Sequence, residues 1–170
     1  MSEFAPNTDF PPVAEVIVVN EQLRPGVLAL SIATEQAQFA GKMPELLDAA
    51  EEAAESEALA VVVDGQVVGY YRLDFAPGAV ASQDFGRPAA GLRGFFIDER
   101  WQGRGVGAAA MHAMTVDLRA RHPEMRLLAL SVNIQNPGAR RLYLRAGFAD
   151  HGELYLGGSA GPQHVMVRDL

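Results

Sequence analysis

The chain has 170 residues, no cysteine and a formal net charge of −7 at pH 7. Its length suits a single domain with a substantial core, and the absence of thiols excludes disulfides, thiolate metal sites and a cysteine nucleophile. The negative charge disfavours nucleic acid as a partner. No apolar run approaches the ~20 residues of a membrane span, so we expect a cytoplasmic protein without a membrane partner.

The first predicted elements follow a proline-containing N-terminal segment. Residues 1–12 hold few core-forming side chains and predict a flexible leader before one domain at 13–170. β-branched residues at 13–19 predict the first strand. Residues 23–32 fit both helical and alternating spacing, and we favour a short helical turn followed by an extended piece.

A helix is predicted over residues 45–57. Pro44 suits a first helical turn, and apolar side chains then recur on one side of the segment. Acidic residues occupy another side. They are either an ordinary solvated helix surface or a rim that attracts a cationic amine.

A β-hairpin is the clearest local signal in the chain. Residues 59–63 and 66–73 are rich in strand-forming side chains, and the turn Asp64-Gly65 joins them. Residues 74–91 then carry several glycines and prolines with little periodicity. They predict a surface loop, which is either a plain connector or a lid.

A glycine-rich bend at residues 102–107 separates a predicted strand from a predicted helix. The strand is the apolar run 92–97, and the helix continues with apolar residues at helical spacing until Pro123. Glycines let a ligand approach the backbone, and the helix directs unpaired N–H groups and its positive dipole end at the bend. The pattern indicates an anion site suited to a pyrophosphate, the alternative being glycines that simply end a strand.

The last third of the chain adds a buried strand, a capped helix and a final strand. The continuous apolar run 127–132 predicts the buried strand. Asn136 followed by Pro137 is typical of a helix start, and Gly147 is typical of the residue just beyond a helix end. With a final strand at 163–167, the order of elements predicts an α/β sandwich around a mixed sheet.

Two motifs resemble the GCN5-related N-acetyltransferase (GNAT) superfamily. Gln102-x-x-Gly105-x-Gly107 is similar to its acyl-CoA-binding signature, and residues 95–107 match its central strand and turn in residue type. Asn136-x-x-Ala139-x-x-x-Tyr143-x-x-x-Gly147-Phe148 is similar to a second family element. The likeness covers about residues 59–148.

The resemblance implies a mixed, mostly antiparallel sheet flanked by helices, with a V-shaped split for acyl-CoA. It implies acetyl-CoA as co-substrate and direct acetyl transfer, because no cysteine can carry an acyl group. A homodimer is the expected assembly. The residues expected to bind acetyl-CoA are Phe95, Phe96, Ile97, Gln102, Gly103, Arg104, Gly105, Val106, Gly107, Ala108 and Asn136. Arg104 is either an extra charge for the phosphates or a solvated arginine.

Tyr143 is the expected catalytic residue. The resemblance places it near the thioester sulfur, where it gives a proton to the leaving thiolate. A phenol suits that role because it is neutral at pH 7 and donates a hydrogen bond. The alternative is an aromatic side chain that only packs on the inner face of its helix.

The general base is not fixed by the sequence. Some family members carry a glutamate on the central strand, but residues 91–97 contain no carboxylate. The histidines at 112, 122, 151 and 164 lack metal-ligand spacing, so no metal is expected. The candidates by proximity are Asp98, Glu99, Asp74 and Glu35, with a water chain as the alternative.

The finer resemblance concerns the acceptor. Glu35-Gln36-x-x-Phe39, and Gly147-Phe148 followed by Gly152-Glu153, look most like bacterial diamine and spermine/spermidine acetyltransferases. Ala40 and Lys42-Met43-Pro44 depart from that branch.

The expected acceptor is therefore a primary amine of a small molecule, with polyamines as one candidate class. The expected acceptor-binding residues are Glu35, Phe39 and Asp74. The alternatives are an antibiotic amine, a protein N-terminus, or a non-catalytic sensor that binds acyl-CoA.

Overall fold

The structure is a computed structural model that describes residues 11–34 and 41–170. Within them, seven strands form one sheet in the order β1-β2-β3-β4-β5-β7-β6. The strands are β1 (Glu15–Val18), β2 (Ser56–Val63), β3 (Gln66–Asp74), β4 (Ala89–Ile97), β5 (Leu127–Asn133), β6 (Ala149–Asp150) and β7 (Gln163–Asp169). The helices are α1 (Arg24–Leu28), α2 (Met43–Glu52), α3 (Val106–Arg121) and α4 (Pro137–Arg145), with a 3-10 turn at Glu99–Trp101.

The sheet separates two hydrophobic layers, because side chains alternate between its faces along each strand. On β3, Tyr71 and Leu73 pack into the layer that holds α3, whereas Tyr70 packs into the layer that holds α1 and α2. The apolar stripe predicted on α3 is confirmed as core. Its members Ala110, Met111, Met114 and Leu118 are at most 2% exposed.

The end of α2 corrects one prediction. The helix was expected to reach residue 57, but it ends at Glu52, and β2 begins at Ser56. Cross-strand pairing decides this boundary, since Ser56 lies opposite Asp74 and Glu57 lies opposite Leu73. The first strand is also shorter than the predicted 13–19, since β1 spans Glu15–Val18.

The loop prediction at 74–91 was wrong at both ends. Asp74 closes β3, and β4 starts at Ala89, so the connection is shorter. Gly91 is a strand residue that pairs with Asp74 and Ala129, and a close contact explains its missing side chain, because a Cβ there would lie 2.9 Å from a side-chain carbon of Val80. A glycine inside a strand often marks such a close approach.

β4 and β5 lie side by side for only part of their length and then separate, which leaves a split in the sheet. These strands form the sheet's parallel pair, and they pair only at residues 89–91 with 127–129. β4 then continues to Ile97 and β5 to Asn133 without further pairing to each other. The expected mixed, mostly antiparallel sheet with a V-shaped split is confirmed.

Candidate active site

A cleft of about 810 Å³ opens where β4 and β5 diverge. Its walls come from β3, β4 and β5, the bend after the 3-10 turn, and helices α2, α3 and α4. Most of the residues predicted from sequence line it. They are Phe95, Phe96, Ile97, Gln102, Gly103, Gly105, Val106, Gly107, Ala108, Asn136 and Tyr143.

The glycine bend ends in the N-terminus of α3, as predicted. Gly103 and Gly105 have φ values of +73° and +76°, a left-handed conformation that other residues rarely adopt. Gly105 caps α3 without a side-chain hydrogen bond. Gly105, Val106, Gly107 and Ala108 line the cleft, so the first turn of this 16-residue helix borders it, and the unpaired N–H groups of a helix N-terminus suit an anion.

Arg104 does not line the cleft. Its guanidinium lies 5.4 Å from the ring centroid of Trp101, a cation–π contact. A different arginine, Arg145 at the end of α4, lines the cleft together with Leu142. Arg145 forms no ion pair with the described residues. Sequence reasoning missed it, although its spacing from Gly138 and Leu142 placed it on one helix face.

Asp98 anchors the turn before the bend. Its side chain is fully buried and accepts hydrogen bonds from the Ser31 amide (2.8 Å) and from the Arg100 amide (2.9 Å) and guanidinium (2.8 Å). The Arg100 guanidinium, with the two amides, lowers the pKa of Asp98 to about 2. A carboxylate so weakly basic and already saturated with donors cannot serve as the general base. The neighbouring Glu99 is exposed and accepts from the Ser31 hydroxyl at 2.8 Å.

We expect Asp98→Asn to lower the free energy of unfolding by about 2 kcal/mol at pH 7, from the depressed pKa of the carboxylate. The folded-state pKa lies below the unfolded value, so this stability is present above about pH 4 and is lost as pH falls toward 2. Urea unfolding between pH 3 and 7 should show the stability difference between the two proteins become smaller as the pH falls. Glu99→Gln is the matched control, and equal stability of Asp98→Asn and wild type at pH 7 would contradict the anchoring role.

Tyr143 lies on α4 and lines the cleft. It is 8% exposed, and its ring packs edge-on against Phe148 at 5.7 Å. Burial raises the pKa of the Tyr143 phenol, so the hydroxyl keeps its proton at neutral pH. Within the described part of the chain, no group accepts a hydrogen bond from this hydroxyl. The phenol is thus a neutral donor available to a ligand.

A β-bulge interrupts β4 beside the cleft. Tyr70 pairs with Phe96 and Arg72 with Arg93, so Gly94 and Phe95 together oppose a single residue of β3. Gly94 has φ of +60°, and a Cβ there would lie 3.6 Å from the Tyr70 ring. The bulge removes local backbone groups from the ladder and leaves them to a ligand. An isolated glycine inside a strand pattern was the signal for it.

The part of the cleft next to α2 carries arginines instead of the expected carboxylates. Leu46, Ala49, Tyr70, Arg72 and Arg93 line it. None of the described residues that line the cleft is an aspartate, a glutamate or a histidine. A sequence signal was available, because Arg72 and Arg93 are charged residues within the largely apolar strands β3 and β4. No role was predicted for them from the sequence.

Asp74 lies behind these arginines. It is 6% exposed and accepts hydrogen bonds from Arg72 (3.1 Å) and Arg93 (3.4 Å), so its carboxylate is occupied and does not line the cleft. The other two predicted acceptor residues, Glu35 and Phe39, lie outside the described residues.

The model of the acetyltransferase (GNAT) family matches residues 26–148, most of the chain. The chain belongs to this family. The acetyltransferase is 30% identical over 152 residues to the spermine/spermidine N(1)-acetyltransferase of Bacillus subtilis (strain 168), covering 89% of this chain and 95% of the relative. It is 29% identical, with the same coverage, to a probable spermine N(1)-acetyltransferase of Bacillus subtilis subsp. natto (strain BEST195).

Solved structures share the fold of this acetyltransferase. The aminoglycoside enzyme AAC(6')-Ib, in complex with ribostamycin and coenzyme A, matches with a TM-score of 0.72 at 18% identity, over 92% of this chain and 93% of that one. Spermidine N-acetyltransferase from Vibrio cholerae, in complex with CoA and spermine, matches with a TM-score of 0.66 at 15% identity, over 92% and 95%. The protein is therefore an acetyl-CoA-dependent N-acetyltransferase that transfers an acetyl group to an amine.

Proposed function

We propose that this acetyltransferase binds acetyl-CoA in the cleft and transfers the acetyl group to a primary amine of a polyamine. One observation supports this proposal most directly: the glycine bend and the N-terminus of α3 lie at one end of the split between β4 and β5. The bend suits the pyrophosphate, and the split suits an extended arm.

The pantetheine arm of acetyl-CoA fits along β4. Beyond Gly91 the edge of β4 that faces β5 pairs with no strand of the described residues, so its N–H and C=O groups can pair with amides of an extended ligand. Asn136 caps α4 by accepting from the Ala139 amide (3.3 Å), and its side-chain NH2 group is left to donate to the arm. Both predicted roles of Asn136 are then compatible.

In the proposed reaction, the lone pair of a neutral amine attacks the thioester carbonyl carbon and forms the C–N bond. The C–S bond then breaks, and the thiolate takes a proton from the Tyr143 hydroxyl. The new amide nitrogen gives up one proton, which replaces the proton of Tyr143 through solvent. An amine and acetyl-CoA thus yield an N-acetyl amine and free CoA thiol.

The polyamine assignment is supported by the two Bacillus relatives and by α2. Asp48 and Glu51 of this helix pair with Arg24. Glu45 and Glu52 are exposed and form no ion pair with the described residues. Their seven-residue spacing places them on the stripe of Ala49, which lines the cleft, so they can attract a distal ammonium.

We expect spermidine to be strongly preferred over a monoamine at low ionic strength, and less so at high ionic strength. Coulomb attraction at a partly solvated site is worth ~1–4 kcal/mol per close pair and is screened over about 8–10 Å. The measurement is kcat/KM from CoA release for both amines at two salt concentrations. Glu45→Gln/Glu52→Gln should reduce the preference.

The matched control is Glu15→Gln/Glu21→Gln, which removes the same charge from exposed positions at the β1 edge. Equal use of both amines would contradict the polyamine assignment. A panel that includes an aminoglycoside and an N-terminal peptide tests the remaining acceptors, and no turnover with any amine would favour an acyl-CoA sensor.

Arg145 should contribute to acetyl-CoA binding through a phosphate. We expect Arg145→Ala to raise the Kd of acetyl-CoA about three- to tenfold at low salt and less at high salt, because an exposed charged contact is worth about 1 kcal/mol. Arg119→Ala, an exposed arginine of α3 away from the cleft, is the control. Titration calorimetry measures both, and equal Kd values for the two variants would exclude Arg145 from the site.

The assembly and location expected from sequence also remain proposals: a cytoplasmic homodimer without nucleic-acid or membrane partners. Within residues 11–34 and 41–170, no helix has the length and apolar character needed to cross a membrane. Light scattering of the purified protein tests the dimer.

A further inference from the structure

Two arginines lie side by side at the acceptor part of the cleft. Arg72 and Arg93 are cross-strand neighbours on β3 and β4, and both line the cleft. The Arg72 side chain is 16% exposed and is fixed by Ser56 (2.6 Å) and Asp74 (3.1 Å). The Arg93 side chain is 51% exposed and reaches Asp74 only at 3.4 Å. One carboxylate thus faces two guanidinium groups, and the wall carries a net positive charge.

Of the described residues, none that lines the cleft around this pair is acidic. On α2, Asp48 and Glu51 pair with Arg24, and Glu45 and Glu52 are exposed and do not line the cleft. From β3, Tyr70 is neutral, because burial raises its pKa to about 12. From α2, the lining residues are Leu46 and Ala49, and the lining residues of β5 are Leu130, Ser131, Val132 and Asn133. From α4, the ionisable lining residues are the neutral Tyr143 and the cationic Arg145.

The position of Arg93 is next to the reacting atoms in the proposed complex. It directly precedes the bulge at Gly94 and lies two residues beyond Gly91, where β4 and β5 part. A pantetheine arm that follows β4 from the bend toward the closed end of the split brings its thioester to this bulge. The acceptor nitrogen must then approach beside the two guanidinium groups.

A primary amine is an ammonium at neutral pH, with a pKa of about 10, and only the neutral form has a lone pair to attack. A nearby like charge disfavours the charged form. We propose that Arg72 and Arg93 hold the reacting amine of the acceptor in its neutral form by like-charge repulsion, in place of a carboxylate base. The proton leaves to solvent as the amine enters. This inference rests on the proposed function.

The test is the pH profile of kcat at saturating substrates, because kcat reports ionisations in the bound complex. In Arg93→Gln we expect the midpoint of the acidic limb to rise by about one pH unit, since one like charge is removed. Turnover at pH 7 should then fall up to about tenfold and recover at pH 9.5. Arg93→Lys keeps the charge and should retain a midpoint close to wild type.

Several outcomes would overturn the inference. One is an Arg93→Gln midpoint equal to that of wild type, and another is a shift of the same size in Arg93→Lys, which would indicate a structural role. A third is loss of the acidic limb in Glu35→Gln, which would identify Glu35 as the base.

A second readout does not depend on turnover. Calorimetry in two buffers of different ionisation enthalpy counts protons released when an amine binds the enzyme–CoA complex at pH 7. We expect a fraction of a proton per amine for wild type and a smaller fraction for Arg93→Gln. Amine binding without proton release would contradict the inference even if acetyl transfer is observed. Failure of the proposed function would instead show as no amine binding and no turnover.

Discussion

Tyr143→Phe is expected to lower kcat by about 10²–10⁴-fold while the affinity for acetyl-CoA stays almost unchanged. The substitution keeps the ring that packs on Phe148 and removes only the hydroxyl. Without a proton donor, the thiolate must leave as an anion next to the buried Tyr143 ring, where water cannot easily stabilise its charge. This raises the barrier to cleavage of the C–S bond. Steady-state kcat and the Kd of acetyl-CoA, measured on the same preparation, show whether only kcat changes.

The matched control is Tyr71→Phe. Tyr71 is fully buried, its hydroxyl has no hydrogen-bond partner among the described residues, and it does not line the cleft. Its loss should leave kcat unchanged and be neutral or slightly favourable for stability, because an unpaired buried polar group is removed. If Tyr143→Phe retains wild-type kcat when chemistry limits the rate, Tyr143 is a packing residue.

The parts of the fold and site that sequence predicted depend on local rules. The left-handed glycines of the bend, the Asn136 cap and the Asp64-Gly65 turn each follow from the conformations that single residues allow. Most of the residues that the motifs predicted for the site do line the cleft. The core stripe of α3 followed from its 3.6-residue period in the same way.

The parts that sequence missed depend on contacts between distant segments. Ser56 and Glu57 carry no local strand signal, and their pairing with β3 ends the helical run early. The bulge at Gly94 is a register shift between two strands. Asp74 is a plausible acceptor ligand in sequence, but Arg72 and Arg93 occupy its carboxylate. Such pairings are set by tertiary packing and override local propensity.

Gly105→Glu should abolish acetyl-CoA binding, with an expected rise in Kd of at least about 100-fold. Gly105 lies at the N-terminus of α3 and lines the cleft, so a glutamate there fills the proposed phosphate site and adds a like charge, worth ~1–4 kcal/mol of repulsion per close pair. The variant should still fold. Among the described residues, the atom nearest to a Cβ at this position belongs to Pro12 and lies 3.6 Å away, and the left-handed backbone costs about 1–2 kcal/mol.

Two further variants separate charge, bulk and backbone strain. Gly105→Gln has the bulk without the charge and should weaken binding less than Gly105→Glu, with the gap between them closing at high salt. Gly86→Glu places the same residue at a similar φ of +68°, in open space away from the cleft, and should bind acetyl-CoA like wild type. Calorimetry on all three, after unfolding curves establish that each is folded, decides the assignment. Wild-type affinity in a folded Gly105→Glu protein would place the pyrophosphate elsewhere, because a phosphate bound at the N-terminus of α3 lies within reach of a carboxylate attached to its capping residue.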